Sequence, residues 1–312
     1  MLNKLLLACL CCAMGGGAAA QPPAPPHGRW DEPVGQTVAD RPSALYRFER
    51  HQIDSEDGKR HYRIEISIPL APAPKAGYPV LYMLDGNAAM DTLRPEDLAS
   101  LSRRNPPVLV AIGYDVPTRN DVISRAYDYT PPVYRDGKRV EKPVVLGREG
   151  GGADIFLKFI QTRVKPLVRK RVNVDSGNES LWGHSYGGLF VLHTLFTQPD
   201  AFDRYIAGDP SAWWHDGVLV REWRAFDKQR AAGRQVSILV GTKPRNTPPP
   251  GRTHGSGPRG GGRTDQRGAV REMAEGLREG GADVYYRAFP RHGHGDMIRV
   301  SLERALEVSH FP

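Results

Sequence analysis

One short segment constrains the fold of this chain more than any other. Gly183-His184-Ser185-Tyr186-Gly187 matches G-x-S-x-G, with the apolar Leu181-Trp182 before it and an apolar run from Leu189 after it. This pattern predicts a strand, a sharp turn and a helix, with the serine in a strained position at the end of the strand. We expect both flanking glycines to be required, because a Cβ there would crowd the neighbouring strand and helix. The alternative is a tight turn in which the serine has no chemical role.

Short apolar runs and helical patterns alternate along the rest of the chain. Continuous runs such as 80–84 and 108–112 are typical of strands covered on both faces, and period-two runs flanking Asp57-Gly58 predict a hairpin. Further strands are predicted at 179–182, 204–207, 236–240 and 284–289, and helices at 154–168, 186–196, 268–279 and 296–308. The alternation predicts an α/β fold, a mostly parallel central sheet with helices on both faces.

The first twenty residues have the features of a secretory signal. They combine the basic Lys4, a short apolar run and an Ala-x-Ala ending at Ala20. Cleavage there would remove all three cysteines, which would exclude disulfides, cysteine-ligated metals and a cysteine nucleophile from the mature chain. The alternatives are a membrane anchor and a lipoprotein modified at Cys9. No later apolar run approaches the ~20 residues of a transmembrane helix.

The expected organisation has three parts, of which the signal peptide at 1–20 is the first. Residues 21–40 begin with a proline-rich stretch and are predicted to be a disordered lead-in. Residues 41–312 are predicted to form one α/β domain that carries a Gly/Pro/Arg-rich insert at 243–267. The insert is expected to be flexible and solvated. Residues 114–152 form a second long, polar stretch, and loops of this length are usually functional or disordered.

The charge of the chain limits its partners. Lys and Arg number 43 against 35 acidic residues, a formal charge of +8, and removal of the signal peptide takes away Lys4 and leaves +7. A basic balance suits nucleic acid, an anionic membrane or an anionic small substrate. Because a secreted protein rarely meets nucleic acid, we expect a small-molecule substrate and no nucleic-acid partner. No membrane partner is expected either.

A serine nucleophile needs a neighbouring base, which in this type of fold is a histidine on the loop after the last strand. His294 lies between two glycines after the predicted strand 284–289, and the last predicted helix follows it directly. We therefore expect His294 to be the base, with His292 as the alternative. His184 and His193 are expected to be packing or surface residues.

The position of the third triad member is less clear. It normally follows the strand before the final helix–strand pair, but here Thr242-Lys243-Pro244 follows that strand. The next carboxylate is Asp265, beyond the arginine-rich stretch, and Asp209 after the preceding strand is another option. The remaining alternative is a Ser–His dyad whose imidazole is oriented by backbone carbonyls or water.

An oxyanion hole requires two donors directed at the developing charge. One is expected to be the backbone N–H of Tyr186, the residue after the nucleophile. The other is expected from the turn Asp85-Gly86-Asn87, which follows the strand 80–84, with the Asn87 N–H as the donor. The alternative for this turn is an ordinary loop at the end of a strand.

Four segments together resemble the periplasmic enterobactin/salmochelin esterases, α/β-hydrolases of the broader esterase D-like group. They are YPVLYMLDGNA from Tyr78, SRAYDYTP from Ser124, LWGHSYGGLFVL from Leu181 and FPxxGHG from Phe289. The resemblance spans about residues 45 to 305, and SRAYDYTP is its more specific part. It implies an α/β-hydrolase fold, a periplasmic location and hydrolysis of the ester bonds in a cyclic tri-serine lactone that carries catechols.

The same resemblance implies roles for particular residues. Ser185 would be the nucleophile and His294 the base of a dyad without a clear acid. Arg125, in the arginine-containing loop, would face a catecholate or ferric-catecholate anion. The alternative for Arg125 is a structural ion pair with Asp128 or another carboxylate. No cofactor and no resident metal are expected, because any iron would arrive with the substrate. The insert at 243–267 departs from the family pattern.

Two other functions remain open from the sequence. One is a carboxylesterase or acyltransferase of the same group that acts on small acyl esters. The other is a ferric-siderophore binding protein without useful turnover, which the presence of Ser185 and His294 disfavours.

Overall fold

A computed structural model of the chain describes residues 32–244 and 263–310, the side chains of 263–266 excepted. The predicted signal peptide at 1–20 and residues 245–262 of the insert lie outside these ranges. In the two described ranges, no helix has the length and apolar character needed to cross a membrane.

The core of the fold is an eight-stranded sheet of order β1-β2-β4-β3-β9-β10-β11-β12. Its strands are β1 Tyr46–Asp54, β2 His61–Pro69, β3 Tyr78–Leu84, β4 Val108–Tyr114, β9 Val174–His184, β10 Arg204–Gly208, β11 Gln235–Gly241 and β12 Asp283–Phe289. The β1–β2 and β2–β4 pairs are antiparallel, and all other pairs are parallel. The sequence predictions of a hairpin and a mostly parallel sheet are therefore confirmed.

Helices cover both faces of this sheet. In chain order they are α1 Gly86–Thr92, α2 Pro95–Leu101, α3 Ser124–Asp128, α4 Ala153–Phe159, α5 Lys165–Arg171, α6 Tyr186–Thr197, α7 Trp214–Ala225, α8 Arg263–Glu279 and α9 Met297–Val308, with a π-helical turn Ile160–Val164 joining α4 to α5. Apolar residues of α1, α2 and α9 pack on one face, and those of α4 to α8 pack on the other. The prediction of helices on both faces is confirmed.

The predicted lead-in at 21–40 is ordered at its end. Val34 N–H donates to the Pro117 carbonyl at 2.9 Å, and residues Val38–Asp40 form a 3-10 turn capped by Thr37. Val38 is buried in the core beside α1 and α2. The prediction of disorder is therefore wrong for residues 34–40, because contacts with distant segments hold them and the local sequence does not reveal those contacts.

The long stretch 114–152 folds around a buried carboxylate. Asp128 accepts hydrogen bonds from the hydroxyls of Tyr62 at 3.0 Å and Tyr114 at 2.9 Å, and it pairs with Arg60 at 3.1 Å. The stretch also contains two short hairpins, β5 Tyr134–Arg135 with β6 Lys138–Arg139 and β7 Val144–Val145 with β8 Arg148–Glu149. It is thereby fixed above the carboxyl ends of the parallel strands, where ligands bind in α/β sheets.

Candidate active site

The predicted strand–turn–helix at the serine is confirmed. Ser185 separates β9 from α6 and has a φ of 62° and a ψ of −114°, a backbone conformation that residues other than glycine rarely adopt. A Cβ added at Gly183 would lie 2.5 Å from the backbone of Gly187, so glycine is required there. At Gly187 the nearest atom would be at 3.5 Å, an ordinary contact, so the expected requirement does not hold for that glycine. The turn exposes the serine hydroxyl to a cavity of about 470 Å³.

His294 lies on the loop between β12 and α9 and reaches this serine. Its Nε2 is 3.0 Å from the Ser185 Oγ, within hydrogen-bond distance for proton transfer. His292, the alternative base, packs its ring edge-on against Phe289 with centroids 5.6 Å apart. The structure thus brings His294, rather than His292, to the nucleophile.

A carboxylate completes the group. Asp209, the first residue after β10, places its Oδ2 2.5 Å from the His294 Nδ1, and its Oδ1 accepts the Gly241 N–H at 3.1 Å. The expectation of a Ser–His dyad without an acid is therefore wrong in this structure. The side chain of Asp265, the other option, lies outside the described residues. Asp209 reaches His294 because β10 lies beside β9, so both strands end at the same edge of the sheet.

The loop that carries His294 is held from the elbow. His184 Nε2 lies 2.8 Å from the His294 carbonyl oxygen, and the two rings are 4.8 Å apart. Burial lowers the pKa of His184 well below its usual value, so the ring is neutral and its one N–H donates to that carbonyl. The sequence predicted only a packing or surface role for His184 and did not reveal this hydrogen bond to the backbone of the base.

The two predicted oxyanion donors occupy different surroundings. Tyr186 begins α6 and lines the cavity beside Ser185. Asn87 lies in the first turn of α1, and its side-chain amide donates to the carbonyls of Tyr114, Val116 and Thr118 and accepts the Tyr114 N–H. That amide holds the turn in place, and the Asn87 backbone N–H stays the predicted second donor.

Arg125 lines the cavity and also contacts the turn that contains Asp85 and Asn87. Its guanidinium makes two hydrogen bonds to Asp85, at 2.7 and 2.8 Å, and lies over the rings of Tyr129 and Tyr186. Burial opposes its charge, but the Asp85 carboxylate raises the pKa of Arg125 above its usual value. The ion pair weighed from the sequence is therefore present, with Asp85 rather than Asp128. Arg125 also lines the cavity, so its contact with substrate stays a prediction.

The carboxyl end of β10 supplies further residues that the sequence analysis did not single out. The Ser211 Oγ lies 3.3 Å from the Ser185 Oγ, and its N–H donates to the Ser185 carbonyl at 3.1 Å. Trp213 lines the cavity with its ring 6.1 Å from that of Tyr186. The available signal was a polar stretch, Asp209-Pro210-Ser211, directly after a buried strand.

A serine, a histidine and an aspartate in hydrogen-bond sequence, at an elbow on a mostly parallel sheet, define a serine hydrolase of the α/β-hydrolase fold. A family model described as putative esterase matches residues 55–292, and the chain belongs to this esterase family. Among the described residues, no group of three or more His, Cys, Asp or Glu side chains is placed to hold a metal.

Similar proteins of known activity support this assignment. The chain is 35% identical over 274 residues to the apo-salmochelin esterase of Escherichia coli O6:H1, covering 88% of this chain and 82% of that protein. It is 32% identical to the ferri-bacillibactin esterase BesA of Bacillus subtilis, covering 85% of this chain and 90% of the relative. A solved structure of the enterobactin hydrolase IroE in complex with DFP, a serine-hydrolase inhibitor, superposes with a TM-score of 0.72. That match has 33% identity and covers 88% of this chain and 99% of the other.

Proposed function

We propose that this enzyme hydrolyses the ester bonds of a triscatecholate siderophore trilactone of the enterobactin type. The Ser185–His294–Asp209 geometry carries the proposal, because it supplies a nucleophile, a base and an orienting carboxylate at one wall of a cavity. The substrate class is supported by similarity to esterases named for salmochelin, bacillibactin and enterobactin.

The reaction follows from the positions of these groups. His294 Nε2 takes the Ser185 proton as the serine oxygen attacks a lactone carbonyl, and Asp209 holds the imidazole in the required tautomer. The backbone N–H groups of Tyr186 and Asn87 are the proposed donors to the oxyanion. His294 then returns the proton to the leaving alkoxide, and water hydrolyses the acyl-enzyme. The first turnover opens the ring to a linear trimer.

Incubation of the protein with enterobactin, followed by mass spectrometry of the products, tests this function. We expect the linear trimer to appear with the wild-type protein, and Ser185→Ala to lower kcat by about 10⁶, the loss typical of removing a triad serine. An untouched trilactone alongside rapid turnover of p-nitrophenyl esters would favour the small-ester alternative. A Ser185→Ala variant as active as the wild type would contradict the nucleophile assignment.

We further propose a periplasmic location, supported by the signal-like pattern of residues 1–20. Expression of the full chain in a Gram-negative host, with fractionation and N-terminal sequencing, tests it. A processed protein that begins near Gln21 in the periplasmic fraction is expected, and an unprocessed cytosolic chain would contradict the proposal.

A further inference from the structure

Three basic side chains line the cavity around the candidate site. They are Arg148 on β8, Lys243 just after β11 and Arg267 in α8. Among the side chains that the structure describes, which do not include that of Asp265, no carboxylate lies within ion-pair distance of any of the three. Arg267 is also held in position, because its Nη2 donates to the Gly241 carbonyl at the end of β11 at 2.8 Å. Three separate elements of the fold thus contribute positive charge to one cavity.

The carboxylate that lines the cavity already has hydrogen-bond partners within the protein. Among the described residues that line the cavity, Asp209 is the only carboxylate, and both of its oxygens are bound, one near His294 and one to Gly241. The other basic wall residue, Arg125, is paired with Asp85. Arg148, Lys243 and Arg267 therefore give the cavity a net positive field toward an entering ligand.

We propose that Arg148, Lys243 and Arg267 form an anion subsite that makes the enzyme prefer the iron-loaded triscatecholate over the metal-free form, an inference that rests on the proposed function. The similar proteins differ on this point, since one is named for an apo-siderophore and another for a ferri-siderophore.

The chemistry of the two substrate forms gives the preference its direction. Phenolic hydroxyls ionise near pH 10, so metal-free catechols are essentially neutral at pH 7. Binding of ferric ion displaces the catechol protons, and the complex of three catecholates with one Fe³⁺ carries a net negative charge. A cavity of about 470 Å³ accommodates part of such a complex. The remainder stays at the mouth, where Lys243 and Arg267 are exposed.

Kinetics on matched substrates test the subsite. We would measure kcat/KM for enterobactin in its ferric, gallium and metal-free forms, because Ga³⁺ reproduces the charge of Fe³⁺ without its redox chemistry. We expect the wild type to prefer both metal complexes. Each of Arg148→Gln, Lys243→Gln and Arg267→Gln should lower the metal-to-free ratio about threefold, as for one partly exposed charge pair. The triple variant should lower it about thirtyfold if the three act independently.

The control is Arg104→Gln. This variant removes an exposed arginine that precedes the first residue of β4, at the amino ends of the parallel strands, whereas the cavity lies at their carboxyl ends. This control should leave the ratio unchanged. The preference of the wild type should also weaken as salt is raised. A triple variant that loses activity equally on charged and neutral forms, or a wild type without preference, would overturn the subsite.

A binding measurement separates this inference from the function on which it rests. Ser185→Ala binds without turnover, and quenching of tryptophan fluorescence reports ligands near Trp213, which lines the same cavity. If the wild type cleaves no trilactone, the proposed function fails. In that case, a charge-dependent preference of Ser185→Ala for the ferric complex, lost in the triple variant, would still support the subsite. Equal binding of both forms would refute it.

Discussion

Replacing Asp209 with asparagine tests the triad directly. The Asp209 Oδ1 accepts the Gly241 N–H at 3.1 Å, and Oδ2 lies 2.5 Å from the His294 Nδ1. An asparagine that keeps its oxygen toward Gly241 must turn its NH₂ toward His294. Because an NH₂ group only donates, Nδ1 becomes the acceptor and the imidazole proton moves to Nε2. Nε2 then cannot take the proton of Ser185.

The expected loss is large and falls on kcat. Stabilising the wrong imidazole tautomer in this way lowers kcat by about 10⁴ in a serine protease, which corresponds to about 5.4 kcal/mol at 1.36 kcal/mol per tenfold. We expect KM to change little, because the carboxylate of Asp209 contacts His294 and Gly241 and is not free to contact substrate.

Steady-state hydrolysis of the trilactone and of p-nitrophenyl butyrate provides the assay. The rate of inactivation by DFP should fall in parallel, because it depends on the same proton transfer from Ser185. Asp265→Asn is the matched control and should retain near wild-type kcat, and thermal unfolding of both variants shows whether they fold. A loss below about tenfold for Asp209→Asn would refute the triad, and a thousandfold loss for Asp265→Asn would transfer the role to that residue.

Two further predictions concern histidines outside the triad. His193, buried on α6, lies between Glu222 and Asp154, each 3.0 Å away; burial opposes its charge, but the two carboxylates raise its pKa to about 9. A raised pKa in the folded state adds stability that is fully present below about pH 6.5 and is lost as the pH rises through 9. Urea denaturation should therefore show that His193→Gln lowers the free energy of unfolding by about 2 kcal/mol at pH 6 and by much less at pH 9.5. A difference that stays constant over this range would contradict the charged pair. For His184, the leucine variant should lower kcat about tenfold or more by releasing the His294 loop, whereas His184→Gln keeps an N–H donor and should recover most of the activity. Equal kcat values for the two variants would show that the hydrogen bond to the His294 carbonyl has no role.

Strand β9 shows which parts of the fold can be predicted from the sequence. The strand predicted at 179–182, which ends in the apolar Leu181-Trp182, lies in its buried half, but the strand begins at Val174. Its first four residues include the polar Asp175 and Ser176 and are partly or fully exposed, and pairing of Val174 with Tyr78 extends the strand. Apolar patterns report burial, whereas strand ends depend on backbone pairing with a partner distant in the chain.

Asp209 shows a second limit. In chain order, the triad acid normally follows the strand before the final helix–strand pair, which here is β11. In the sheet, β10 lies between β9 and β11, so the ends of both β10 and β11 are close to Ser185 and His294. Which strand supplies the acid depends on the turn that follows it, and the φ of 38° at Asp209 is not evident from the sequence.

Arg125 shows why the charge of a site cannot be read from the charge of a chain. Burying an arginine without a partner costs several kcal/mol, so a buried arginine requires a carboxylate, but its partner Asp85 is 40 residues away in sequence. The pair cancels the charge that the sequence analysis assigned to substrate binding. The formal charge of +8 therefore does not measure the field at the nucleophile. That field depends on Arg148, Lys243 and Arg267, and any salt dependence of catalysis should follow these three residues rather than Arg125.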